Sequence, residues 1–410
     1  GAAGLMAGHT AAKSGKRVIM VDENPEFGGS LLSDTASKID GKSGYNWAQD
    51  ILKQLGDLDN VTLLSRTTAF GYYSHNMVCL AERVTDHLAM PDPELPRERM
   101  WQIRAGKVIL ATGAIERHLV FADNDRPGIM LASAAQTFLN NYGVTPGRNV
   151  AIYTACDSAW QAAFDLKQAG INIPAIIDCR QEVDEALTSR AGELGIRVLT
   201  HHAVVATTGR LRVKSVKVEP INGTSSETIE VDCLLISGGW TPSVHLFSQS
   251  RGKVSYEPAL GCFLPDVYTE DCACVGACNG TFDLAEALKE ASAAAADGVK
   301  SSGGKTRKTA KPKVEQPISM GGFLIGTAKG AGPDDFVKAF VDFQNDVTAK
   351  DIRLAVREGY LSIEHVKRYT TTGMATDQGK MSNLRGLAIA ANALGKEIPE
   401  VGLTTFRASY

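Results

Sequence analysis

The sequence predicts an α/β fold of two nested Rossmann-like units followed by a small helical module. Three observations carry that prediction. A Gly-x-x-Gly turn, a helix, an apolar strand and a strand-end acid succeed one another over residues 1–22. A second strand, turn, helix and strand, again ending in an acid, recur over residues 148–178. After a stretch of small and basic residues at 299–317, the chain becomes polar-rich and helical in pattern. A chain of 410 residues has room for roughly two to three domains, each with its own core.

Taken in order, Gly1-Ala2-Ala3-Gly4 runs into a helix over residues 5–15, stopped by its glycine. Residues 17–22 form a buried strand ending in a carboxylate. This is the back half of a dinucleotide fingerprint, lacking its first glycine and its first strand. Because that strand is the core of such a sheet, the polypeptide is expected to extend before residue 1. Gly1, Ala3 and Gly4 are expected to face a pyrophosphate through backbone N–H groups at the helix N-terminus. Asp22 should accept hydrogen bonds from the adenosine ribose, with Glu23 and Asn24 on the same turn. Its charge repels a 2′-phosphate and so selects NAD over NADP. Gly29 and Ser30 should close over the phosphates, and the backbone near Ala69 should edge the adenine.

Residues 108–113 are an apolar strand running into Ala-Thr-Gly, which brings Gly113 to the same site. The second unit follows, with a strand and turn at 148–157, a helix at 158–170 and a strand at 174–178. Its turn, residues 154–159, holds no glycine, and side chains there would keep a pyrophosphate off the backbone. The unit is therefore expected to be structural, and Asp178 at its strand end to be solvated. Residues 231–240 lead back to the first unit, 268–275 form its last strand and 281–296 a helix. In two-nucleotide-domain flavoproteins that last strand ends in Gly-Asp, whose carboxylate binds the ribityl chain of FAD. Here the pair is Gly276-Ala277. The missing charged acceptor is worth roughly 1.5–3 kcal/mol to a flavin and nothing to NAD, which has no ribityl chain. NAD is the expected ligand, with Ala277, Thr281 and Phe282 lining its far end.

The expected domains are residues 1–115 with 236–298 for the first, NAD-binding unit and 116–235 for the nested second. A flexible basic linker at 299–317, a helical module at 318–402 and a connection onward at 403–410 complete the chain. The module's helix candidates are 334–341, 348–358 and 362–369. With 43 Lys+Arg against 46 Asp+Glu, a net charge of −3, the chain lacks the basic footprint of a nucleic-acid binder. No apolar run reaches the ~18 residues of a membrane helix. No secretory signal is visible either, so a cytoplasmic location without membrane contact is expected. The 8 cysteines read as free thiols, with Cys272 and Cys274 as small buried residues on one strand face and Cys278 close by. No metal-ligand spacing and no catalytic nucleophile or base stand out, so redox work would come from bound cofactors.

Four stretches resemble the alpha subunit of heterotetrameric sarcosine oxidase. They are Val-Asp-Glu-Asn-Pro-Glu-Phe-Gly-Gly-Ser at 21–30, Ser-Gly-Gly-Trp-Thr-Pro at 237–242 with His245, Phe-Gln-Asn-Asp-Val-Thr-Ala-Lys-Asp-Ile at 343–352, and residues 367–380. The likeness covers essentially the whole chain. It implies a glutathione-reductase-like pair of units and a bacterioferritin-associated-ferredoxin-like module without cluster cysteines. Laid on that module, the ligand positions of a [2Fe–2S] cluster fall at Asp342, Gln344, Asp377 and Ser382. The resemblance further implies a complex with beta, gamma and delta subunits that converts sarcosine to glycine, 5,10-methylenetetrahydrofolate and hydrogen peroxide. FAD would sit on the beta subunit, FMN at the alpha–beta interface, NAD on this chain and tetrahydrofolate on a C-terminal domain absent from this sequence.

FMN is expected against the helical module, where Lys367, Arg368, Thr370, Thr371, Lys380 and Ser382 gather cations and hydroxyls around a Gly-Met turn. The isolated chain is expected to be inactive. Two other readings stay open. One is the alpha subunit of a related opine or proline amine dehydrogenase. The other is a stand-alone pyridine-nucleotide flavoprotein reductase, which needs a glycine turn in the second unit and an acid at 277.

Overall fold

The computed structural model describes residues 1–307 and 311–407. Residues 308–310 of the expected linker and 408–410 of the expected onward connection lie outside the described residues. In the first unit, α1 (Ala2–Lys13) is rich in small residues and lies close against its sheet. Gly8 permits that approach, since an added Cβ would stand 2.3 Å from the Met20 sulfur. The strand Val18–Val21 pairs in parallel with Val61–Leu64, and Cys272–Cys274 pairs in parallel with Val108–Leu110. Helix α2 (Gly44–Gly56), capped by the Ser43 hydroxyl, packs its apolar face into the same core as α1. An antiparallel layer of Thr67–Tyr73, Met77–Arg83 and Glu98–Arg104 completes the unit.

Helices α3 (Ala132–Tyr142), α4 (Ser158–Gln168) and α5 (Glu185–Glu193) belong to the second unit. Its five-stranded parallel sheet runs, from edge to edge, Ile129–Leu131, Cys233–Ser237, Val150–Thr154, Ile176–Asp178 and Val198–Thr200. The central strand is apolar on both faces, as a doubly covered parallel sheet requires. Val150 and Ile152 enter the core beneath α3 and α4, while Ala151 and Tyr153 enter the opposite one. The strand at 233–237 pairs inside this sheet, which carries the second unit as far as Ser237. The two chain crossings between the units, Ala114–Glu116 and Trp240–Pro242, pair with each other antiparallel.

Helices α6 (His245–Gln249) and α7 (Leu284–Ser301) return to the first unit, where α7 packs along α1. The segment expected to be a flexible linker is tied down at both ends. α7 continues to Ser301, and Val314–Glu315 adds a strand to Lys38–Ile39. The Asp40 carboxylate also accepts from the Lys313 N–H at 2.8 Å. These partners lie far away in sequence, so composition alone could not reveal them.

The module contains α8 (Ala349–Arg357), α9 (Ile363–Thr370) and α10 (Asn383–Leu394). α8 begins at a capping box in which Thr348 and Asp351 satisfy each other's backbone N–H groups. The helix expected at 334–341 does not form; Phe340–Asp342 is a strand paired with Val347–Thr348. Asn124 of the second unit clamps that strand, accepting from Phe340 N at 2.8 Å and donating to Phe340 O at 2.9 Å. The β-branched Val341 is fully buried there. The module's core includes Val120 and Phe263, so it packs on both nucleotide-fold units.

Candidate dinucleotide cleft

A cleft of about 1840 Å³ opens at the N-terminus of α1 and runs between the first unit and the faces of α3 and α4. α1 starts there with no side-chain cap, leaving its first N–H groups available to a ligand. Two glycines let the backbone close in. At Gly29 (φ +59°) a Cβ would stand 2.8 Å from Gly1 Cα, and at Gly276 (φ +70°) 2.9 Å from Ala3 Cβ. Asp22, at the end of its strand, accepts from Asn24 N at 3.0 Å and Asn24 Nδ2 at 3.1 Å, both on Oδ1. Its Oδ2 lies 3.9 Å from the Gly1 main-chain nitrogen, so carboxylate and phosphate turn are neighbours. Across the cleft, Glu290 accepts from Gly276 N and Asn279 Nδ2, each at 2.6 Å, and thereby fixes the turn that presents the Ala277 methyl.

Every residue expected at the dinucleotide site lines this one cleft: Gly1, Ala3, Gly4, Asp22, Glu23, Asn24, Gly29, Ser30, Ala69, Gly113, Gly276, Ala277, Thr281 and Phe282. The sequence reading missed the far wall, where Glu116, Ser133, Ser158, Trp240 and His245 also line the cleft. Glu116 is only 4 % exposed and accepts from Ser133 N at 2.9 Å and Ser133 Oγ at 2.5 Å. Burial pushes its carboxyl up to about 7 against the opposing pull of these bonds. Burial, with Lys380 nearby, depresses His245 to about 3. No motif announces Glu116; its setting is created by the antiparallel pairing of Glu116 with Trp240.

The second unit's phosphate turn is filled by the chain itself. Asp157 N donates to Gly321 O at 2.9 Å, and a Cβ on Gly322 would stand 2.4 Å from Ala155 O. Asp178 is not solvated as expected but fully buried, 2.7 Å from Arg180 Nη2 and accepting from the Trp160 indole at 3.1 Å. Arg180 also reaches Asp157 at 2.6 Å. A guanidinium thus bridges two carboxylates, one on the glycine-free turn and one at the end of the next strand.

In the module, Lys367 and Lys380 are half-buried, and desolvation lowers both from the usual lysine range. Lys380 Nζ donates to Asp377 O at 3.3 Å and Arg407 O at 3.1 Å. Arg368 and Thr371 are exposed, and Thr371 takes a left-handed turn. Two of the hydroxyls expected to face a phosphate point inward instead. Ser382 is buried and donates to Asp342 Oδ2 at 3.2 Å, and the Thr370 hydroxyl donates to Val366 O at 2.8 Å.

The four cluster-ligand positions do come together, as a network of hydrogen bonds. Asp342 accepts from Gln344 N, Asn345 N, Gly373 N and Ser382 Oγ, while Gln344 Oε1 accepts from Thr376 Oγ1 and Asp377 N. With no thiolate and both Asp342 oxygens engaged, the site does not fit an iron–sulfur cluster. Cys272, Cys274 and Cys278 are buried in one apolar cluster with Tyr72 and Phe247. Among the described residues no group of His, Cys, Asp and Glu is arranged to hold a metal ion, and no helix is long and apolar enough to cross a membrane.

Fold and cleft together define a two-unit nucleotide-binding oxidoreductase. Residues 1–292 match the model of the pyridine nucleotide-disulphide oxidoreductases, and the chain belongs to that family. Residues 337–410 match the sarcosine oxidase A3 domain. The chain is 43% identical, over all its length, to sarcosine oxidase subunit alpha of Rhizobium meliloti (strain 1021), of which it spans 40%. It is 38% identical, again over all its length, to the same subunit of Corynebacterium sp. (strain P-1), of which it spans 43%. The likeness carried by the four sequence stretches therefore extends along the whole chain, while the chain spans less than half of these curated relatives. A crystal structure of L-proline dehydrogenase from P. horikoshii superposes with a TM-score of 0.75 at 20% identity, covering 100% of this chain and 75% of that one. At that identity the likeness is one of fold.

Proposed function

We propose that the chain is the NAD-binding part of an alpha-type subunit in a tetrahydrofolate-dependent sarcosine oxidase complex. The observation that carries this reading is the 43% identity along the whole of this chain to part of a sarcosine oxidase alpha subunit, combined with a cleft that is lined by both Asp22 and Ala277. Asp22 offers its Oδ2 to a ribose, the uncapped start of α1 offers N–H groups to a pyrophosphate, and Gly29 and Gly276 leave the room both need. Ala277 offers no acceptor to a ribityl chain, which favours NAD over FAD. When bound, NAD supplies a nicotinamide ring; the chain's own part is to hold and orient it and to screen it from water.

The reading places FMN between the module and a beta subunit, with gamma and delta subunits completing the complex and folate bound elsewhere on the longer polypeptide. Lys367 and Lys380 support it, because half-buried ammonium groups gain from a nearby phosphate. Arg368 and Thr371 are exposed on the same face, Arg368 with Glu364 3.9 Å away, while Ser382 and Thr370 act only by shaping the turn. The test is chemical. Nucleotide released from the purified complex should be NAD by mass spectrometry. The paired reversal Arg368→Glu with Lys380→Glu should lower FMN content while leaving NAD in place. FAD recovered from this chain, or sarcosine turnover by the isolated chain with free FAD, would overturn the assignment.

A further inference from the structure

The far wall of the cleft contains a buried carboxyl that the adenosine and pyrophosphate contacts leave unused. Trp240, the backbone partner of Glu116, lines both the main cleft and an adjoining pocket of about 470 Å³ that also touches Thr281 and Phe282. The strand Trp240–Pro242 packs on the 276–279 turn. Glu116 therefore stands at the end of the cleft opposite Asp22, beyond Ala277. A dinucleotide anchored at Asp22 by its adenosine and at α1 by its pyrophosphate carries its second base into this end.

We propose that Glu116 forms the nicotinamide subsite of the cleft and that its carboxylate makes the cleft prefer the oxidised, cationic ring over the reduced, neutral one. The proposal rests on the reading of the cleft as an NAD site. Its physics is local. Both hydrogen bonds from Ser133 fall on Oε2 and fix the carboxyl group in place. Burial raises it to about 7, so that a large share of the carboxyl is protonated at neutrality and most of it below, as a neutral hydrogen-bonding group. A pyridinium ring brought alongside supplies the missing positive charge, so the oxidised ligand is bound with release of a proton. The reduced ring has no charge to offer and leaves the proton where it is.

The other titratable groups around Glu116 do not compete. Cys156, from the turn before α4, is pushed up to about 11 and stays a neutral thiol. Asp157, on that same turn, is paired with Arg180. His245 is held neutral by its burial. Arg117, adjacent in sequence, turns its guanidinium to Thr241 Oγ1 and the Trp240 carbonyl. Asp165 of α4 is engaged by Thr35, Gln136, Asn140 and Gln161.

The test titrates the assembled complex, depleted of nucleotide, separately with NAD⁺ and NADH between about pH 6 and pH 8.5. Calorimetry in two buffers of different ionisation enthalpy counts the protons released. NAD⁺ affinity should rise about tenfold per pH unit up to about pH 7 and then level, while NADH affinity stays flat. Glu116→Gln should abolish the slope and the proton release and bring the two affinities together; Glu116→Asp, which keeps the charge, should retain the slope. A flat NAD⁺ profile in the unaltered protein, or a slope that persists in Glu116→Gln, overturns the proposal and leaves the NAD reading standing. Failure of the unaltered protein to bind either dinucleotide overturns both.

Discussion

Replacing Asp22 with alanine removes the strand-end carboxylate that the proposed NAD site offers to a ribose. The structure sets the size of the effect. Oδ1 is already engaged by the backbone and side chain of Asn24. The loss to a ligand is therefore one charge-assisted hydrogen bond at a site whose side chain is 13% exposed. Such a bond is worth about 1.5–3 kcal/mol, or roughly tenfold to a hundredfold in dissociation constant. Because Asn24 loses its acceptor as well, the turn loosens and the upper part of that range applies. The same change removes the repulsion of a 2′-phosphate, so the preference for NAD over NADP should narrow. Calorimetric titration of nucleotide-depleted protein with NAD and with NADP measures both effects. A thermal melt without ligand should move little, because the carboxylate sits at a strand end outside the core. Undiminished NAD affinity in Asp22→Ala, or an unchanged NAD-to-NADP ratio, would refute the assignment of this residue to the ribose.

Two stability predictions follow from buried polar groups. Asp342→Ala strips the acceptor from three backbone N–H groups and the Ser382 hydroxyl in the module's interior. It should cost about 3–5 kcal/mol, read as a lowered denaturation midpoint; a loss below about 1 kcal/mol would show that water replaces the network. His245 is depressed to about 3 from an ordinary 6.5. As pH falls below 6.5 only the unfolded chain takes up that proton, so the folded state loses stability from 6.5 down towards 3. His245→Leu should flatten that part of the Tm–pH curve relative to the unaltered protein, and parallel curves would rule the effect out.

The sequence by itself determined the nucleotide-fold units and the near half of the cleft. Their signals are local: a glycine turn sits beside its helix, Asp22 ends the strand that follows, and Gly276-Ala277 is read at the end of another. Backbone geometry obliges such residues to stand where they do, so short-range spacing is enough. Four things needed the tertiary structure. Glu116 becomes a buried acid only because two chain crossings pair and bring Ser133 above it. Asp178, alike in sequence to Asp22 as a strand-end acid, is withdrawn from solvent by Arg180 and Trp160. The segment at 313–322, featureless in composition, is fixed by a strand pairing with residues 38–39 and by contacts over the second phosphate turn. The helix expected at 334–341 yields to a strand because Asn124, more than two hundred residues away, satisfies its backbone. In each case the deciding partner is distant in the chain. Hydrophobic spacing and turn chemistry report on neighbours in sequence, whereas burial and charge pairing are set by neighbours in space.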